Sequence, residues 1–113
     1  MEPLTLVTFG YKNSVPPRGA SVVVDCRELR NPHSDPKLRD LDGRDANVQT
    51  YVALDPRFGP LMAYAMERAR FGGTIAFGCY GGRHRSVAMA ELVKKRMNDI
   101  GYKAIIKHTA IIS

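Results

Sequence analysis

The chain has 113 residues, 44% of them apolar and 25% charged, with a net charge of +6. That suffices for a single domain over residues 1–113 with one core, and it excludes a low-complexity or fibrous chain. The positive balance points to an anionic partner, nucleic acid or a phosphorylated small molecule, with a merely solvated basic surface as the alternative. No apolar run approaches a membrane span, so no membrane partner is expected. Met1-Glu2-Pro3 lacks the basic and apolar regions of a signal peptide, so a cytoplasmic location is expected. In that compartment Cys26 and Cys79 are expected to be reduced thiols.

Leu4 to Phe9 alternates and is rich in β-formers, which predicts a strand. Gly10 to Gly19 is a turn-rich loop. Ala20 to Asp25 predicts a second strand, and the run Val22-Val23-Val24 suggests burial on both faces, as in a central strand. Cys26 to Arg44 is a long irregular segment carrying Arg27, Arg30, Lys37, Arg39 and Arg44, and loops of this length in small domains usually have a function. Asp45 caps a short helix, Ala46 to Leu54. Asp55-Pro56 starts another, in which Phe58, Leu61, Met62, Ala65, Met66 and Ala69 form an apolar stripe before Gly72-Gly73 stops it. Thr74 to Phe77 is a buried strand that breaks at Gly78. A helix from Arg85 or Ser86 buries Met89, Val93, Met97 and Ile100 and leaves Glu91, Lys94, Lys95 and Asn98 wet. Gly101 ends it, and Lys103 to Ile112 is a last strand in which His108 takes a surface position. The fold class is α/β: a mainly parallel sheet of about four strands, with helices packed on it. With the second and third strands parallel neighbours, Asp25-Cys26-Arg27 and Cys79–Arg85 face one crevice, where open α/β sheets bind ligands.

Between the third strand and its helix lies a Gly-rich loop, Cys79-Tyr80-Gly81-Gly82-Arg83-His84-Arg85-Ser86. Helix-start amides without internal partners and paired glycines make an anion cradle, and arginine can clasp phosphate in a bidentate way. One reading is catalytic. Cys79, five residues before Arg85, has the layout of a cysteine-dependent phosphatase, with Ser86 assisting thiolate departure and Asp25 or Asp35 as general acid. The other reading is binding alone. The loop amides with Arg83, His84 and Arg85 hold a phosphate, Cys79 is a small residue at a crowded turn, and Asp25, Arg27, Asn31 and His33 shape the remaining site. His84, between two arginines, reads as a ligand contact rather than a core residue. Tyr11, Tyr51 and Tyr80 are candidates for stacking on bases, Tyr51 reading better as packing. No pair among Cys26, Cys79, His33 and His84 has metal-ligand spacing, so no metal and no cofactor are expected.

Phe9-Gly-Tyr-Lys12, Asp25-Cys-Arg27, Asn31-Pro-His33, Pro36-Lys-Leu-Arg39, Gly43-Arg-Asp45 and Gly78-Cys-Tyr-Gly-Gly-Arg-His-Arg-Ser-Val87 together resemble, in order and spacing, the C-terminal domain of the RNase adapter RapZ family. The resemblance spans nearly the whole chain. It implies a domain that binds small regulatory RNA, senses an amino-sugar phosphate, presents RNA to an endoribonuclease and forms homo-oligomers. By that resemblance Asp25, Arg27, Asn31, His33, Cys79, Tyr80, Gly81, Gly82, His84 and Arg85 map onto the sugar-phosphate pocket. Lys12, Arg27, His33, Arg39 and Arg83 map onto the RNA-binding face. No G-x-x-x-x-G-K-[ST] motif is present, so a stand-alone C-terminal domain without the family's P-loop domain is expected. Tyr80 stands where the family usually has a smaller polar residue, and no basic tail follows His108. The expected function is therefore a binding module for a sugar phosphate or RNA phosphate with a regulatory or adapter role. The alternative is an enzyme using Cys79 and Arg85.

Overall fold

The protein is described here by a computed structural model over residues 3–111. Its elements in chain order are β1 (Leu4–Gly10), β2 (Val22–Asp25), a 3-10 turn (Pro32–Ser34), α1 (Ala46–Ala53), α2 (Phe58–Ala69), β3 (Gly73–Cys79), α3 (Arg85–Asp99) and β4 (Ala104–His108). The four strands form one sheet in the order β2-β3-β1-β4, and every pairing is parallel. β3 and β1 are thus the interior strands. α3 packs on β1, β3 and β4, and α2 packs on β2, β3 and α3. Leu6, Val24, Phe77, Met62, Met89, Val93 and Met97 meet in the core between sheet and helices.

The helices follow from local chemistry. Asp45 accepts the Asn47 amide at 2.8 Å and so caps α1, whose Val48 and Val52 are buried. α2 buries Phe58, Met62, Ala65 and Ala69, one face of a 3.6-residue repeat. α3 closes with the Gly101 amide on the Asn98 carbonyl and the Tyr102 amide on the Met97 carbonyl, the paired bonds of a Schellman turn.

Several expectations are corrected. β2 is an edge strand, with Val22 and Val24 buried and Val23 38% exposed. A run of valines packs equally well in an edge strand covered on one face, so the run did not identify a central position. Gly78 and Cys79 belong to β3 rather than to a turn. Gly78 pairs with Phe9 and Asp25, and its missing side chain leaves room for the rings of Phe9 and Tyr11. Ile100 is exposed, because α3 ends at Asp99 and the turn at Gly101 redirects the chain. Glu91 is half-buried and His108 largely so. The His108 ring lies 2.7 Å from the Glu91 carboxylate through Nε2 and 2.8 Å from the Thr8 hydroxyl through Nδ1, tying β4 to α3 and β1. The last strand is shorter than expected, ending at His108. Ile112 and the N-terminal Met1 and Glu2 lie outside the described residues.

The segment from Cys26 to Arg44 is fastened down rather than loose. Part of the fastening is Asp55, a buried carboxylate that accepts the Arg30 amide at 2.7 Å and the Arg57 amide at 2.9 Å and forks with the Arg57 guanidinium. The Arg57 side chain, followed by the two amides, holds the Asp55 carboxyl well below the usual carboxylate range. A carboxyl depressed in the folded state contributes stability that is complete above its unfolded pKa of about 3.9. That contribution is lost as pH falls from there through the folded value. Asp55→Asn is therefore expected to lower Tm at pH 7, and its gap to wild type to narrow below about pH 4. Melting curves from pH 7 to pH 3 test this; a gap of constant size would rule the coupling out.

Candidate functional site

Register brings the carboxyl ends of the strands to one edge. Gly10 is opposite Cys79 and Asp25 is opposite Gly78. Past the strands, the Tyr11 amide bonds the Cys79 carbonyl, the Lys12 amide bonds the Tyr80 carbonyl, and the Cys26 amide bonds the Gly78 carbonyl. Three loops therefore leave the sheet side by side. They border a cleft of about 800 Å³ lined by Lys12, Asn13, Ser14, Asn31, His33, Cys79, Tyr80, Gly81, Arg83, His84, Arg85 and Thr109, with Gly10 and Ala110 beside them. A parallel sheet concentrates ligand sites at this edge, because all its strand-to-helix loops gather there.

The floor is the start of α3. His84 precedes the helix with no side-chain cap, and the first turn holds no acidic residue, so the positive end of the dipole is uncompensated by any carboxylate there. The Ser86 amide points to Cys79 Sγ at 3.4 Å, and the Cys79 thiol donates to the Ser86 hydroxyl at 3.2 Å. Gly82 takes a left-handed φ of 74° and presses on the backbone of β1. A side chain there would meet the Gly10 amide at 2.6 Å and the Phe9 carbonyl carbon at 2.8 Å.

Arg85 is buried, only 7% exposed. Its Nη1 donates to the carbonyls of Arg27 at 2.6 Å and Leu29 at 3.3 Å, while among the described residues its buried Nε has no hydrogen-bond partner. Buried polar atoms are nearly always satisfied, so this orphaned nitrogen, shielded from solvent, sets Arg85 apart among the described side chains. His84 is also buried, contrary to its reading as a non-core residue. Its Nε2 lies 2.6 Å from the Leu41 carbonyl and 3.2 Å from that of Arg39. Burial first, with the nearby Arg83 charge adding, pushes its pKa below the ordinary value, so the neutral ring donates from Nε2 to these carbonyls at pH 7. The Gly43 amide bonds the Arg83 carbonyl at 2.8 Å, and the Gln49 side chain donates to the Gly43 carbonyl at 2.9 Å. The long loop is thus pinned to the start of α3, and its 3-10 turn presents Asn31 and His33 to the cleft.

Of the ligand residues expected from sequence, the cleft gathers Asn31, His33, Cys79, Tyr80, Gly81, Arg83, His84 and Arg85. Gly82 and Ser86 lie behind its wall. Asp25 and Arg27 are not on the lining: they form a fork with each other at 2.7 to 3.1 Å, and the Arg27 guanidinium stacks 3.9 Å over the Tyr11 ring. That hydrogen-bonded arginine holds the Asp25 carboxyl below its ordinary pKa. Asp35 is not on the lining either; it accepts the Lys37 amide at 2.9 Å. The cleft therefore carries neither candidate general acid. Lys12, His33 and Arg83 stand at the cleft, whereas Arg27 is engaged with Asp25 and Arg39 donates to the His33 carbonyl at 2.8 Å. Among the described residues no group of three or more His, Cys, Asp or Glu is arranged to hold a metal ion. No described helix is long and apolar enough to cross a membrane. Sequence reading missed Asn13, Ser14 and Thr109. The available signal was topological: in a parallel sheet the residues just past β1 and β4 share the edge where β2 and β3 end.

The profile of the RapZ C-terminal domain matches residues 3–112. The chain is 40% identical to a nucleotide-binding protein of Cereibacter sphaeroides over 93% of its own length, 40% identical to one of a Jannaschia species over 93%, and 42% identical to one of Rhodospirillum rubrum over 89%. It spans only 38%, 36% and 35% of the length of these relatives.

Proposed function

We propose a function from one premise: the chain belongs to the RapZ C-terminal domain family. The domain is a binding module that holds a phosphorylated ligand, a sugar phosphate or an RNA phosphate, in the cleft at the start of α3 and serves a regulatory or adapter role. The observation that carries this is Arg85, a buried guanidinium that lines the cleft beside a helix start with no side-chain cap. Lys12 and Arg83 add charge at the rim, where a phosphate desolvates only in part. A tightly constrained loop behind the cleft suits binding without large rearrangement.

Phosphorus NMR with a panel of sugar phosphates, an amino-sugar phosphate among them, tests the reading. Selective shift or broadening of one ligand is expected, weakened roughly 10-fold by Arg83→Ala, the lower end of the worth of a charged hydrogen-bonding partner, as suits a rim position. Cys79→Ser is expected to retain binding. Absence of any shift across the panel would sink the sugar-phosphate form of the reading. One observation favours a second, enzymatic reading, the contact of Cys79 Sγ with the Ser86 amide and hydroxyl. Inorganic phosphate that accumulates with wild type and not with Cys79→Ser would establish it. For RNA, affinity is expected to fall with salt through counterion release from phosphate contacts at Lys12 and Arg83.

A further inference from the structure

Tyr80 is the aromatic residue of the cleft, and it is 58% exposed. Its backbone is held rigid, since its carbonyl accepts the Lys12 amide at 2.9 Å and the preceding Cys79 carbonyl accepts the Tyr11 amide at 2.9 Å. Among the described residues no ring or cation is stacked on it. Tyr11, by contrast, packs edge-on against Phe9 and is covered by Arg27, and Tyr51 is covered by Arg30. An exposed, unpartnered tyrosine on a fixed loop leaves an apolar face in water beside a polar site. It is followed directly by Gly81-Gly82 and shares the cleft with Arg85 at the start of α3, which has no side-chain cap from His84. The neutral polar residues Asn13, Ser14 and Asn31 line the same space.

We infer that the ligand is a phosphate ester carrying an aromatic base, a nucleoside 5′-monophosphate unit, with its phosphate on the α3 floor and its base stacked on Tyr80. This rests on the phosphate-binding reading above and adds the base to it. Stacking supplies what a sugar phosphate lacks, a flat apolar face large enough to cover the ring. The cleft, about 800 Å³, lies within the range of sites for molecules of this size. The same unit exists free or as the 5′-phosphorylated end of a strand, and the stacking chemistry is shared.

Calorimetric titration decides the matter. Adenosine 5′-monophosphate is compared with ribose 5-phosphate, which has the same phosphate and sugar but no base. A 5′-phosphorylated oligoribonucleotide is compared with the same strand bearing an abasic first nucleotide. The base-bearing member of either pair is expected to bind roughly 5- to 100-fold tighter, the range of one base stacked on an aromatic side chain. Tyr80→Ala is expected to erase the difference and Tyr80→Phe to keep it. A preference in the mononucleotide pair identifies a free nucleotide, and one confined to the strand pair identifies a strand end. Equal affinities within both pairs, or a preference that survives Tyr80→Ala, overturn the inference while leaving phosphate binding intact. Absence of binding by all four probes overturns both.

Discussion

Gly43→Ala is expected to destabilise this protein by about 3 kcal/mol or more, lowering Tm by roughly 12 °C or more. A methyl group at Gly43 would lie 2.2 Å from the Ala88 amide nitrogen, 2.5 Å from the His84 carbonyl oxygen and 2.7 Å from Val87 Cβ. Two of these three are helix backbone atoms, which cannot rotate aside as a side chain can. Relief requires moving the loop off the first turn of α3. That movement breaks the bond from the Gly43 amide to the Arg83 carbonyl and strains those from His84 to the Arg39 and Leu41 carbonyls. The cleft should open with it, so phosphate binding and stability are expected to fall together. Gly59→Ala is the control. Gly59 lies in α2 with open space where a methyl would go, so alanine there should stabilise by about 0.5–1 kcal/mol through helix propensity. Thermal melts of the two variants settle the point: a Gly43→Ala protein melting within a few degrees of wild type would show that the loop is not seated on α3 as described.

Arg85→Ala is expected to reduce affinity for the phosphorylated ligand about 10- to 150-fold, the worth of a hydrogen bond from a charged donor, and to lower stability by about 1–3 kcal/mol. The two effects have separate origins in one side chain. Nη1 holds the carbonyls of Arg27 and Leu29, and without it these acceptors lose their donor within the protein. Nε has no partner among the described residues, and the guanidinium as a whole lines the cleft where the proposed ligand would meet its charge. Arg85→Lys separates the two. It keeps the charge on the cleft floor, but its compact ammonium cannot present the fork that reaches both carbonyls and the ligand at once. It should therefore recover part of the affinity lost in Arg85→Ala and little of the stability. Affinities from calorimetry and unfolding midpoints in urea, measured on the same samples, provide both readouts. Wild-type affinity in Arg85→Ala would remove Arg85 from the binding site and leave it as a loop anchor.

Much of this fold is written locally. The apolar stripes of α2 and α3, the Asp45 cap, the Gly101 stop and the β-rich runs of β1 and β3 each depend on neighbours within a few residues. The helical crossovers then imply parallel strands. The Gly-rich loop between β3 and α3 was legible for the same reason, because its residues are contiguous. Tertiary structure alone decided which partner each polar group found. Val23 became an edge residue because the order β2-β3-β1-β4 left one face and one edge of β2 unpaired, and no local pattern encodes strand order. Asp25 and Arg27 were drawn away from the cleft into their own fork over Tyr11. His84 was taken by carbonyls more than forty positions distant. Thr109 joined the site only because β4 ends at the same edge as the other strands. Composition, periodicity and motif determined the elements and the family, since these arise from short-range sterics and burial. The division of arginines and histidines between cleft lining and loop contacts depended on contacts closed by folding, where desolvation favours a partner for each buried polar atom.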